Sequence, residues 1–254
     1  MRIGKQDQRS SAISTSTPES ITVRGHDLCG ELVGRIDFTS YFWLLVTGRI
    51  PSETQRFFAN CVLTAIAEHG LVPSVVAARM TYAAAPEAFQ GAVAAGLLGC
   101  GTVVLGSAEA AGRFLHGLVE SGEDPKAAVA RLRAEKKAVP GFGHPLHAGG
   151  DPRANLLLDL ASEKGIEGKY INSLRAVEAV LPEALGRALP INVNGAIPAV
   201  MLDVGFPLAA LKGISLLART ASLIAHLNEE TERPIGFILS GEAAAAIAYD
   251  GPEG

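Results

Sequence analysis

From Phe57 onward the apolar residues fall three and four apart, a spacing that forms one continuous face only on a helix. Phe57, Phe58, Cys61, Val62, Ala65 and Ile66 follow it closely. Ser52 with Gln55 three residues later supplies a capping box for the start of that helix. Asp151-Pro152 opens another, carrying Leu156, Leu157, Leu158 and Leu160, with an acid at the N-cap and proline in the first turn. Gly165 is placed to end it. Runs of Val and Ile in strict alternation are scarce, so no sheet is predicted; short strands stay open only near Ile21 to Arg24. The spacing predicts an all-α protein of many helices joined by short loops. Breaks fall at Gly48 to Ser52, Ser121 to Pro125, Pro140 to Gly150 and Leu189 to Gly195.

With 254 residues, 48% of them hydrophobic, the chain can bury a substantial core. A net charge of −4 and the lack of a Lys/Arg run argue against nucleic acid as a partner. The one dense basic stretch, Arg131 to Lys137, includes Glu135 and reads as a solvated helix face. Cys29, Cys61 and Cys100 are odd in number and form no CxxC pair. Neither a disulfide framework nor a metal site is supported, and a reducing cytoplasm is the expected location. Met1 to Ser20 is polar, expected to be flexible at least in part, and lacks the apolar stretch of a secretory signal. Ala88 to Ala108 carries no charge, but five glycines together with Gln90 and Thr102 dilute it. It reads as buried helix with close backbone packing, and no membrane partner is expected.

Searches for general catalytic motifs fail. There is no GxxxxGK[ST] loop, no GxSxG elbow and no HExxH, and Gly141-Phe-Gly-His-Pro-Leu lacks the third glycine of GxGxxG. Two features stand out instead. The loop Pro140 to Gly150 combines Gly141, Gly143, Gly149, Gly150, Pro140 and Pro145 with His144 and His147. Such a loop lets backbone amides approach a ligand, although an ordinary connector has the same composition. The second feature lies within the apolar stretch Leu208 to Leu227, where Ser215, Arg219, Ser222 and His226 share one helix face. That stripe either meets solvent or lines a polar cavity.

Several segments, in order along the chain, resemble those of the citrate synthase superfamily. Val139-Pro-Gly-Phe-Gly-His-Pro-Leu-His-Ala-Gly-Gly-Asp-Pro-Arg153 is similar to its Pro-Gly-[Phe/Tyr]-Gly-His turn, with an Asp-Pro-Arg arginine nine residues after the histidine. Ile21-Thr-Val-Arg-Gly-His, Ala67-Glu-His-Gly, Ile191-Asn-Val-Asn-Gly, Ala218-Arg-Thr-Ala and Glu232-Arg-Pro resemble further family segments. The likeness covers roughly residues 20 to 250, and the short length with Asn-Val-x-Gly-Ala is most like citryl-CoA lyases and the citrate synthase module of ATP-citrate lyase.

The resemblance implies an all-α, two-lobed fold. A large helical lobe takes residues 21–109 and 196–254, a small helical lobe takes 110–195, and the cleft lies between them. Residues 1–20 stand outside both. It implies a C–C bond made or broken between an acetyl-CoA-like thioester and oxaloacetate or a related 2-oxo acid. His144 acts at the carbonyl or hydroxyl of the four-carbon acid, while His69, Arg153, Arg219 and Arg233 hold its carboxylates, since arginine forks match carboxylate geometry. Pro140, Gly141, Phe142 and Gly143 line the CoA thioester, a substrate rather than a tightly bound cofactor. A homodimer is implied, with Arg233 reaching the neighbour's site; His147 has no counterpart and is read as a surface residue.

Two positions depart from the family pattern. Asn194 stands where the family keeps a carboxylate that removes the thioester's methyl proton, and an amide has no useful basicity. Val104 falls where a histidine stabilises the enolate oxygen. Three readings follow: a citryl-CoA-type lyase or acyltransferase with Asn194 orienting rather than abstracting, the same fold on a different acyl-CoA or 2-oxo acid, and a non-catalytic binder of polycarboxylate or CoA.

Overall fold

The computed structural model describes residues 9–101, 103, 105–143 and 149–252. It is 65% helical and 4% strand, which makes the chain all-α. Two compact units divide it, one ending at Asn60 and one beginning at Cys61.

The first unit opens with a small antiparallel meander, β1 (Ser14–Ser16), β2 (Ile21–Val23) and β3 (His26–Asp27), paired in that order. Ser14 faces Val23 and Ser16 faces Ile21. The sequence left strands open near Ile21 and assigned none at Ser14, because strands of two or three residues are too short to show alternation. What makes the hairpin is the two-residue turn Arg24-Gly25, both at positive φ (51° and 89°), as the tightest hairpin turns require. A left-handed arginine is costly, and its guanidinium offsets part of that by donating twice to the Leu45 carbonyl, at 3.0 and 2.6 Å. Asp37 caps α1 (Phe38–Thr47), accepting from the Ser40 amide at 2.9 Å, and Gly48 in the left-handed region ends it. Helix α2 (Glu53–Ala67) begins with the expected capping box: Ser52 N–H donates to the Gln55 side chain at 2.9 Å, and Gln55 N–H to Ser52 Oγ at 3.2 Å.

The second unit carries α3 (Pro73–Ala84), α4 (Phe89–Leu98), α5 (Ser107–Ser121), α6 (Pro125–Ala134), α7 (Pro152–Glu163), α8 (Lys169–Leu185), α9 (Val193–Asp203), α10 (Leu211–Glu232) and α11 (Gly236–Ala246). Helix α9 is buried from Gly195 to Met201 and packs on α5, α7 and α8. Helix α10 packs on α3, α4 and α5, and Leu223 and Leu227 meet Val75, Ala78 and Ala92. Of the uncharged stretch from Ala88, α4 ends at Leu98 and α5 begins at Ser107, so no single helix of bilayer length runs through it. The close packing expected of it holds at Gly96, where a methyl would lie 2.7 Å from Leu223 and 2.8 Å from the Ser74 carbonyl. The expected burial does not hold: only Ala92 and Gly96 of α4 are buried, and Leu98 is exposed. Residues 208–232 are long and apolar enough to span a bilayer. However, Ser215, Arg219, Ser222 and Glu230 in that stretch are buried inside the bundle, as in a core helix. Helix α7 starts and stops as its sequence predicts. Asp151 Oδ1 accepts from the Arg153 amide, while Gly165 (φ 65°) and Ile166 bond back to Ser162 and Ala161.

Candidate active site

The glycine loop and the start of α9 are built as one piece. Gly143 N–H donates to the Pro190 carbonyl at 2.8 Å, Asn192 N–H to the Gly141 carbonyl at 3.0 Å, and Phe142 bridges Ile191. Asn192 is the joint. Its Oδ1 accepts from the Asn194 and Gly195 amides (2.9 and 3.2 Å), capping α9, while its Nδ2 donates to the Gly143 carbonyl at 2.6 Å. The two backbones approach so closely that a methyl on Gly195 would sit 2.5 Å from the Gly141 oxygen, and one on Gly141 2.8 Å from the Gly195 Cα. Glycine is required on both sides. Of the residues expected to line CoA, Gly141 and Phe142 are buried, while Pro140 and Gly143 are partly exposed.

Asp151 ties Arg153 to the same place. Its buried carboxylate takes both arms of the Arg153 fork at 3.0 Å and accepts the Val193 amide at 3.0 Å. Burial works to raise this carboxyl, yet the Arg153 fork and the Val193 amide hold it below the ordinary aspartate value. Asn194, on the first turn of α9, has no side-chain hydrogen bond among the described residues. Pro198 lies four residues on and has no N–H for the Asn194 carbonyl, so that oxygen also lacks its helical partner.

The polar stripe of α10 turns inward. Ser215, Arg219 and Ser222 are buried and His226 nearly so, which rules out a solvated face. Arg219 NH1 donates to Ser222 Oγ at 3.3 Å, its Nε has no partner, and no carboxylate lies within ion-pair distance of it among the described residues. Burial pulls its pKa below the ordinary arginine value, opposed by the charge of Glu68, and the group stays cationic. Glu68 accepts from Ser222 Oγ at 2.7 Å and His226 Nε2 at 3.0 Å, and its other oxygen accepts the His69 and Gly70 amides. The structure thus sets His69 beside the Arg219 cluster through the backbone of its own turn.

Arg79 is the residue that sequence reasoning missed. Deeply buried on α3, it donates from Nε to Glu230, from NH1 to Glu229 at 2.8 Å, and from NH2 to the Arg233 carbonyl at 2.9 Å. Glu230 also accepts the Ile235 and Gly236 amides, fixing the turn into α11. The signal was present, for Arg79 shares a face with buried Val75 and Ala78. Arg233 itself is exposed. Val104, His144 and His147 lie outside the described residues.

The helical architecture is that of the citrate synthases. A family model described as citrate synthase, C-terminal domain, matches residues 58–236, and the chain belongs to that family. A citryl-CoA lyase from Hydrogenobacter thermophilus is similar at TM-score 0.88 and 28% identity, over 96% of this chain and 95% of that one. ATP citrate lyase from Methanothrix soehngenii, solved with citrate and coenzyme A, shares the fold at TM-score 0.83 and 24% identity, over 99% of this chain and 43% of that one. A citrate synthase from Synechocystis is 28% identical over 204 residues, which are 77% of this chain. The match spans half the length of that relative.

Proposed function

We propose that the chain is an enzyme of the citryl-CoA lyase and citrate synthase type, acting on a C–C bond between an acetyl-CoA-like thioester and oxaloacetate or a related 2-oxo acid. The observation that carries this is Arg219, a buried cation with no carboxylate of the described residues in direct contact with it. Burying a guanidinium without an ion partner is costly, and a ligand carboxylate seated on its fork removes that cost. Arg153, His69 and Arg233 complete the polycarboxylate site in this reading, and the Pro140 to Gly143 backbone lines the CoA thioester. In the cleavage direction His144 takes the citryl hydroxyl proton. The C–C bond then breaks toward the thioester carbon, giving the oxo acid and an enolate that is protonated to the acetyl thioester. The lobes 21–109 with 196–254 and 110–195, a cytoplasmic location and a homodimer belong to the same reading. Exposed Leu98, Ile224, Phe237 and Ile238 favour the homodimer, and light scattering tests it.

Calorimetric titration with citrate and with CoA, alongside assays of citryl-CoA cleavage and of condensation, tests the whole. Binding of both ligands with turnover is expected, and absence of binding for either overturns the reading. Asn194 favours one second reading, a non-catalytic binder, since an amide replaces the family's base. Asn194→Asp separates the two: an enzyme that inherited the mechanism gains on the order of 10²-fold or more in rate. A site built around the amide gains nothing and binds citrate less well, because the new carboxylate repels it.

A further inference from the structure

Glu68 lies one hydroxyl away from Arg219 and does not close on it. The geometry says why. Arg79 has only donors, so the His226 Nδ1 facing its NH1 at 3.5 Å is the acceptor, and the ring proton sits on Nε2. That Nε2–H donates to Glu68 Oε2 at 3.0 Å. The Ser222 hydroxyl spends its single proton on the same oxygen at 2.7 Å, so toward Arg219 it acts as acceptor. The His69 and Gly70 amides hold the other oxygen. The four donors come from α10 and from the turn after α2, and Arg79, itself fixed by Glu229 and Glu230, sets the imidazole. The side chain they restrain is half-exposed.

We propose that His226 and Ser222 are positioning residues that restrain Glu68 from forming a direct salt bridge with Arg219, keeping the guanidinium fork open for a ligand carboxylate. This deepens the polycarboxylate reading above and rests on it for the ligand. Glu68 has two effects in this arrangement. At one hydroxyl's remove its charge eases the burial of Arg219. In direct contact it would occupy the fork and compete with the ligand. Part of the restraint shows in its carboxyl: burial acts to raise its pKa, but the Ser222 and His226 hydrogen bonds hold it below the ordinary glutamate value.

The test compares citrate affinity, by calorimetry on the full chain, for the wild type, His226→Phe, Ser222→Ala, and each of these combined with Glu68→Gln. Loss of either restraint lets Glu68 close on Arg219, and affinity falls by about 10-fold or more, the worth of one hydrogen bond to a charged group. Glu68→Gln removes the competing charge and brings both variants back to within about 3-fold of wild type. A merely structural role gives no such rescue. Unchanged affinity in both single variants, or a loss that Glu68→Gln does not reverse, overturns the proposal. A crystal structure of His226→Phe decides without a ligand: Glu68 is expected within about 3.2 Å of the Arg219 guanidinium, and Glu68 still held on Ser222 alone overturns the proposal. If the wild type does not bind citrate, the polycarboxylate reading fails, and that crystal structure still decides the restraint.

Discussion

Arg79 on α3 and Arg219 on α10 are 2% and 3% exposed, in the same unit, on helices packed against each other. Arg79 spends its fork inside the chain, on Glu229, Glu230 and the Arg233 carbonyl. Arg219 makes one long bond to a serine hydroxyl and leaves Nε without a partner. Folding alone accounts for the first, because the pair closes the α10–α11 turn onto α3. It does not account for the second, because an unpaired buried cation is a cost unless something outside the chain completes it. Arg153 stands between these cases, with its fork on Asp151 but its side chain partly exposed.

The largest effect is expected at Arg79. Arg79→Ala leaves Glu230 charged and buried without its partner, and chemical denaturation should show a loss of about 3–5 kcal/mol. A loss below about 1 kcal/mol would erase the contrast by making Arg79 energetically idle. Arg153→Ala removes the fork from buried Asp151, which keeps the Val193 amide, so about 1.5–3 kcal/mol is expected in the same experiment. If Arg153 also clamps the ligand, the thermal shift produced by citrate falls with it.

Arg219→Ala reverses the pattern. Stability should change by less than about 1 kcal/mol, since no ion pair is broken, and the citrate-induced thermal shift should vanish. A full wild-type shift in this variant would place the ligand elsewhere. The smallest effect concerns pH. The Asp151 carboxyl is held below its ordinary value, so its contribution is complete above the unfolded aspartate pKa and is lost as pH falls through the lower folded one. Acid unfolding of the wild type should therefore be steeper than that of Asp151→Asn below about pH 4; superimposable acid limbs would show that this carboxylate is not coupled to folding.

How much of this was legible depends on range. Ser52 with Gln55 marked the start of α2, and Asp151 with Gly165 marked the ends of α7, since both devices act within a few residues along the chain. Of the β1–β2–β3 meander only the neighbourhood of β2 was left open as strand, because strands this short give no period to register and the turn uses an arginine at positive φ. The Asn-Val-Asn-Gly segment was legible as a motif. Asn192 as the joint between Gly143 and α9 was not, since that bond spans 49 residues.

Periodicity and short spacings in the sequence by itself determined α2 and α7 with their caps and the polar stripe on α10, while Arg153, Arg219 and Arg233 were singled out by the resemblance to family segments. Only the tertiary structure decided what those side chains meet. Arg79 finds Glu230 across 151 residues and Glu68 finds Ser222 across 154. The stripe could have faced water until α3 and α4 packed against α10 and buried it. A side chain's charge is written in the sequence, whereas the dielectric around it and the partner that answers it are set by which helices fold together.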